Sequence, residues 1–371
     1  MTDFVSILPP IELPQEESLN YMSQIYCNAL DGKIGSDPVK ISRLIHRYGV
    51  KPSQIVSRRY ESVEIAASQK NITERTDFFL ERAQKIISEF YPKESKAPDH
   101  LIHVTCTGYA APSPAQCFAN DQGWNSKLPI THAYHMGCYA ALPSVRMAEG
   151  LVAAQLHRTA KTSNSHGDAN NSGIGIGPTD IVHTEMCGLH LNPEDHSPEQ
   201  IVVQSLFADG HIKYSARPLE DVQRGFEVLN VTEQIVGDSK GDMTWTPAPW
   251  GMKMSLSRDV PGKIAGHLRG FLSRLIEGCE VELSEVLASA VFAIHPGGPK
   301  IIDAAREVLE ISADQVKASK HILSSRGNMS SATLPHVWKH LLETDIEKGR
   351  LVVSMAFGPG LTLFGSLYRV L

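Results

Sequence analysis

The sequence contains no Cys-x-x-Cys pair, no excess of basic residues, no low-complexity tract and no unbroken apolar helix of membrane length. Each absence removes a class of function. Six cysteines in 371 residues (Cys27, Cys106, Cys117, Cys138, Cys187 and Cys279) do not make a disulfide scaffold. Without the paired spacing, a zinc ribbon or a thioredoxin-type site is also unfavoured. With 35 Lys+Arg against 41 Asp+Glu, the net charge is −6, which argues against nucleic acid or an anionic membrane as a partner. Glycine (28) and proline (22) are near average usage, so collagen-like and low-complexity classes are out. A hydrophobic content of 42% with only 20% charged residues excludes dominant disorder and leaves ample material for a core. The opening Met1–Pro10 lacks a basic n-region and a long apolar stretch, so it does not read as a signal peptide. The uncharged run Leu351–Tyr368 is broken by Gly358-Pro359-Gly360. It therefore reads as two buried strands joined by a tight turn, not as a membrane span. A soluble protein of the reducing cytoplasm is expected.

What is present is an alternation of short strands and helices. The length suits about two units of ~150 residues, or one two-lobed domain. Helical spacing marks Ile41, Leu44, Ile45 and Tyr48, and again Phe78 to Phe90. Short apolar strands follow at His100–Cys106, Leu128–Tyr134 and Ile181–Glu185. A largely apolar helix runs on from Cys138 through Leu156 and should be buried on most sides. Residues Lys161–Thr179 are almost free of large apolar side chains and are expected to form an exposed loop. The glycines Gly173, Gly175 and Gly177 within it lack the preceding strand and following helix of a nucleotide fingerprint. In the second half, helices over Ile264–Ile276 and Leu283–Ala290 lead to a strand Val291–Ile294, and a helix covers Ile301–Leu309. The Arg326–Ser331 segment is expected to open a helix through Leu334 and Leu341. The pattern is that of an α/β protein.

Three residues stand at strand-turn-helix junctions in this reading. Cys138 follows Gly137, and a thiol at a helix N-terminus would have a depressed pKa. A buried cysteine packing as a small apolar residue is the competing reading. His295 sits in a turn with two prolines and two glycines. It could pair with a thiolate and donate to a carbonyl, or be a core histidine. Asn328 could be a second amide donor, or a helix cap. Together, Cys, His and Asn would make a thioester nucleophile with an oxyanion or enolate pocket. His183, Glu185, Cys187 and His190 show no fixed ligand geometry, and no metal is expected. Arg58-Arg59-Tyr60 could grip a phosphate or form an exposed charge pair.

Several motifs carry a family resemblance. In chain order they are Thr105-Cys-Thr-Gly108, Met136-Gly-Cys138-Tyr-Ala, Leu206-Phe207-Ala-Asp-Gly210, Asp259-Val-Pro-Gly262, His295-Pro-Gly-Gly-Pro-Lys300, Gly327-Asn-Met-Ser-Ser331 and Phe357-Gly-Pro-Gly360. With these, and with Asn328 33 positions after His295, the chain resembles the type III polyketide synthases, the chalcone-synthase-like branch of the thiolase superfamily. The first hundred residues match weakly, apart from Ile55–Tyr60.

The resemblance implies a five-layered αβαβα thiolase-like fold of two similar halves. Residues 1–220 would carry Cys138, with the exposed insert at 161–179, and residues 221–371 would carry His295 and Asn328. It implies a homodimer, acyl-CoA and malonyl-CoA as substrates, and no cofactor beyond these coenzyme A thioesters. Cys138 would take the starter acyl group, while His295 and Asn328 would hold the malonyl thioester and its enolate. Phe207 matches the gatekeeper aromatic at the coenzyme A tunnel. Met254 stands where the family has a second gatekeeper phenylalanine. Cys187 and Trp245 are further candidates for the pocket lining, and Arg58 and Arg59, on residue type alone, are candidates for gripping a substrate phosphate. The expected activity is decarboxylative condensation, giving a pyrone- or resorcinol-type polyketide. The alternatives are a ketosynthase like β-ketoacyl-carrier-protein synthase III, with an acyl carrier protein as partner, and a cysteine hydrolase.

Overall fold

The computed structural model describes residues 1–30, 37–67, 70–165, 176–344 and 346–371. Two sheets organise the chain. The first has five strands in the spatial order Thr2–Ile7, Asp209–Ala216, Thr179–Met186, His100–Thr105 and Ile130–Tyr134. The second has four, in the order Val291–Ile294, Leu351–Gly358, Thr362–Val370 and Phe226–Ile235.

Strand periodicity explains how both faces of each sheet are covered. In the first sheet Ile102 and Ile181 face one way, while Leu101 and Val182 face the other. In the second, Val352 and Val353 divide in the same manner. The inner residues of both sheets share one core with the helices Ala141–Ser165 and Thr333–Glu343, through Leu142, Val145, Val337 and Trp338. These two helices touch both sheets and form the central layer. Outside the first sheet, the helix Ile72–Phe90 packs Phe79, Ile86 and Phe90. Outside the second, the helix Val260–Ile276 packs Leu268, Phe271, Leu272 and Leu275. The result is five layers, αβαβα.

Local sequence accounts for the helix ends. Asp37 caps the helix Pro38–Tyr48 by accepting from the Val39 and Lys40 amides. Asn71 and Glu74 form a reciprocal capping box on the helix that follows. No helix among the described residues is long and apolar enough to cross a membrane.

The structure departs from the sequence reading in four places. The amino-terminal region is more than helix: Thr2–Ile7 joins the first sheet, and Ile11–Pro14 pairs with Ser57–Tyr60. The long central helix begins at Ala141, so Cys138 lies in the turn before it. Lys161 to Ser165 continue that helix, and residues 166–175 of the expected loop lie outside the described residues. Asn328 follows a helix, Lys317–Arg326, and not a strand. Ala318, Ser319, Ile322 and Leu323 give that helix its buried stripe.

Candidate active site

Cys138, His295 and Asn328, placed on three different segments, line one cavity of about 980 Å³. Each is set by backbone contacts with other segments. The Cys138 loop leaves the edge strand of the first sheet and rests on the Gly358-Pro359-Gly360 turn of the second. His295 ends the strand Val291–Ile294, and its amide donates to the Met355 carbonyl at 2.7 Å. Asn328 donates its amide to the Leu206 carbonyl at 3.0 Å and accepts from the Ala208 amide at 2.8 Å. That exchange forms an isolated parallel bridge with Phe207.

The side chains differ in how they are satisfied. Asn328 Oδ1 accepts from the Ser330 amide at 2.9 Å and from Thr333 Oγ1 at 3.3 Å. This fixes the flip of the amide and leaves its NH₂ as the group available to the site. His295 is 1% exposed, and neither ring nitrogen has a hydrogen-bond partner. Burial drives its pKa down to about 3, so the resting imidazole is neutral. A buried imidazole with both nitrogens unsatisfied is costly and calls for an explanation in function.

Cys138 corrects the expected thiolate. Its Sγ lies 3.9 Å from Ser330 Oγ. Burial pushes the thiol up to about 12, opposed by the Ser330 hydroxyl, its own backbone amide and the Asn328 side chain. Glu185 raises it further through space. Desolvation outweighs helix polarity because the helix begins three residues further on. Glu185 is fully buried, and burial raises its own pKa. It accepts from the Cys106 amide at 3.0 Å, Thr107 Oγ1 at 2.9 Å and Ser331 Oγ at 2.5 Å.

Phe207 and Met254 border the main cavity and two smaller voids, of about 30 and 50 Å³. Cys187 and Trp245 line both smaller voids. Trp245 faces Met254 across the hairpin Met243–Ala248/Gly251–Leu256 and donates its indole N–H to the Cys106 carbonyl at 2.7 Å. The smaller of these two voids brings Cys106, Cys138 and Cys187 to one space.

His183 and His190 serve structure. His183 bonds Ser331 and Tyr214 at 3.0 and 3.2 Å. His190 accepts from the Met252 amide through Nδ1 at 3.0 Å, so its Nε2–H donates to the Thr107 carbonyl at 2.9 Å. Among the described residues, no group of three or more His, Cys, Asp or Glu side chains is placed to hold a metal ion.

The two arginines do not reach the cavity. Arg58 is fully buried and spends its guanidinium on Gln15, Ser18 and the carbonyls of Gln204 and Phe207. Arg59 is half-buried and pairs with Glu12. A two-residue strand repeat explains why they differ: Arg58 faces inward and Arg59 faces out. The cations at the cavity are instead Arg47, Lys51, Arg258 and Lys300, all exposed. The sequence reading passed over them. Lys300 ends the segment His295-Pro-Gly-Gly-Pro-Lys300 and Arg258 directly precedes Asp259-Val-Pro-Gly262, and that adjacency is the available signal.

Comparison with known proteins places this geometry. Residues 227–371 match the family model of the chalcone and stilbene synthases, C-terminal domain. The type III polyketide synthase domain of Steely1, a type I/III hybrid from Dictyostelium, superposes with a TM-score of 0.78 at 23% identity, over 99% of this chain and 98% of that one. PKS-I from the brown alga Ectocarpus siliculosus gives 0.80 at 20% identity, over 99% and 97%. The 1,3,6,8-tetrahydroxynaphthalene synthase of Streptomyces coelicolor A3(2) gives 0.77 at 19%, over 99% and 98%. Residues 227–371 thus match the C-terminal domain of the chalcone and stilbene synthases, and the whole chain has the fold of these solved type III polyketide synthases.

Proposed function

We propose that the protein extends an acyl starter with malonyl-CoA through an acyl-Cys138 intermediate. The observation that carries this reading is His295, buried and without a hydrogen-bond partner at either ring nitrogen, lining the same cavity as Cys138 and Asn328. A neutral imidazole and an amide NH₂ converging on one space supply two donors for a thioester oxygen. A buried neutral thiol supplies a nucleophile that is inert until substrate arrives.

In the first step, the Cys138 sulfur attacks the starter carbonyl as its proton passes to His295. Coenzyme A leaves as the thiolate and takes that proton. Malonyl-CoA then loses CO₂, and the electron pair of the broken C–C bond becomes an enolate. His295 and Asn328 hold its oxygen by hydrogen bonds. The enolate carbon attacks the acyl-Cys138 carbonyl, the new C–C bond forms, and Cys138 departs as thiolate. The product is a β-ketoacyl-CoA two carbons longer than the starter. Repetition and ring closure would give pyrone- or resorcinol-type products.

Carrier choice follows from charge. The exposed Arg47, Lys51, Arg258 and Lys300 around the large cavity suit the phosphates of coenzyme A. The voids beyond Phe207 and Met254 favour a flexible apolar starter. The test is incubation with labelled malonyl-CoA and a panel of acyl-CoA and acyl-carrier-protein thioesters, with product masses read out. Extension in two-carbon steps from acyl-CoA is expected. Hydrolysis of the starter without any need for malonyl-CoA would overturn the reading.

A further inference from the structure

We infer that Arg58 is a positioning residue that holds Phe207 and Asn328 in register with each other; the inference rests on the condensing function proposed above. Its guanidinium is clamped on every side. Nε donates to Gln15 Oε1 at 2.8 Å, Nη1 to the carbonyls of Phe207 and Gln204 at 2.7 and 2.9 Å, and Nη2 to Ser18 Oγ. None of these acceptors is a carboxylate. A buried cation on neutral acceptors is an expensive arrangement, and burial lowers its pKa. Stability alone does not explain it, since an apolar side chain of similar volume would avoid that cost.

The geometry shows what the arginine controls. The residues flanking Phe207 both bond to the Asn328 backbone, Leu206 as acceptor and Ala208 as donor. Arg58 holds the Phe207 carbonyl between them. Its stem lies under Gly327, where an added Cβ would come within 3.0 Å of both Arg58 Cγ and Cδ, and of the Leu206 carbonyl. Gly327 has φ +71°, so the chain is placed for Asn328 by a conformation that favours glycine. Arg58 thus joins the helix Gln15–Leu30, the gatekeeper phenylalanine and the amide donor into one rigid unit. Lysine retains the charge but lacks the planar fork that reaches all four partners.

The test uses Arg58→Lys and, as a substitution safe for folding, Ser18→Ala. Two quantities are read per active site, counted by Cys138 labelling. The first is malonyl-CoA decarboxylation, split into kcat and KM. For Arg58→Lys, kcat should fall between about tenfold and 10²-fold, the scale of a sub-ångström to 1 Å misplacement, while KM moves little. Ser18→Ala should lower it about threefold, as expected for one lost hydrogen bond. The second is the pH profile of Cys138 alkylation, which needs no substrate and reports the Asn328 amide beside the thiol. It should shift to higher pH in both variants. A merely structural role would lower the melting temperature and leave both quantities unchanged per site, and that result overturns the inference. Should Arg58→Lys fail to fold, an unchanged Ser18→Ala protein overturns it equally. A wild-type protein that never decarboxylates malonyl-CoA would sink the proposed function, while the alkylation profiles still decide the role of Arg58.

Discussion

Gly137 stands so close to Pro359 that a Cβ on the glycine would lie 2.6 Å from the proline Cδ. The two residues belong to loops leaving different sheets, and their contact sets the height of Cys138 in the cavity. Gly137 also has φ +87°, a region closed to most side chains. Gly137→Ala should therefore cost at least about 1 kcal/mol in stability. It should also lower acyl loading of Cys138 more than the stability loss accounts for. Mass spectrometry of the acylated protein, at a temperature where the variant is folded, checks this. Full acyl loading would show that the loop height is not critical.

The chemistry of Cys138 makes a second prediction. With its pKa pushed up to about 12 by burial, the thiolate fraction should rise about tenfold per pH unit across the accessible range. Iodoacetamide labelling followed by peptide mapping should give a rate climbing from pH 7 to 10 without a plateau. Burial raises Cys106 and Cys187 well above the ordinary thiol value, so both should react after Cys138. A plateau below pH 8 would mean that a thiolate–imidazolium pair already exists at rest.

A third expectation separates the two half-reactions. Cys138→Ala should abolish chain extension but keep decarboxylating malonyl-CoA, because His295 and Asn328 are untouched. His295→Ala or Asn328→Ala should lower decarboxylation itself, by about 10²–10³-fold for each lost donor. Release of labelled CO₂ measures this directly. A His295→Ala protein that decarboxylates at the full rate would remove the histidine from the enolate site.

Acid stability provides the fourth. Burial depresses His103, His295 and His336 to about 3 and His190 to about 4. All four lie below the unfolded value near 6.5, so the unfolded chain binds more protons between these limits. Their stabilisation is complete above about pH 6.5 and is lost as pH falls toward 3. Asp209 acts in the opposite sense: burial raises it to about 7, and its contribution fades as pH rises through that value. Urea midpoints should drop steeply from pH 6.5 to 4.5; unfolding at pH 5 should bring uptake of about four protons by these histidines, offset by release of about one from Asp209. A midpoint that does not change over that interval would show that these histidines are hydrated in the native protein.

The parts of this site that are legible in the sequence are those whose side chains carry the proposed chemistry. Cys138, His295 and Asn328 sit in short motifs full of glycine and proline, and backbone constraint of that kind leaves a trace in local sequence. The helix dipole argument for Cys138 failed because sequence spacing does not reveal desolvation, which depends on packing from distant segments. Arg58 was misread for the same reason. An Arg-Arg pair looks exposed, and only the pairing of Ser57–Tyr60 with Ile11–Pro14 shows that one of the two faces inward. The strand Thr2–Ile7 joins the first sheet beside Asp209–Ala216, a long-range pairing with no local signature. The cations at the cavity come from three separate segments, so no single window of sequence could have assembled them.

The last prediction concerns Met254. Its side chain borders all three voids together with Phe207, and its backbone carbonyl accepts from Gln200 Nε2 at 2.7 Å. The residue is therefore fixed in place while its unbranched thioether can bend. A phenyl ring there would stand against Trp245, its cross-strand neighbour, and reduce the space leading past Cys138. Met254→Phe should shift preference toward shorter acyl-CoA starters and leave malonyl-CoA decarboxylation largely intact, since His295 and Asn328 face the larger cavity. Each methylene in an apolar pocket is worth only about 1–3 kcal/mol, so the change should be graded with chain length. The measurement is kcat/KM for acetyl-, hexanoyl-, decanoyl- and palmitoyl-CoA with both proteins. An identical profile would mean that the starter reaches Cys138 without passing between Phe207 and Met254.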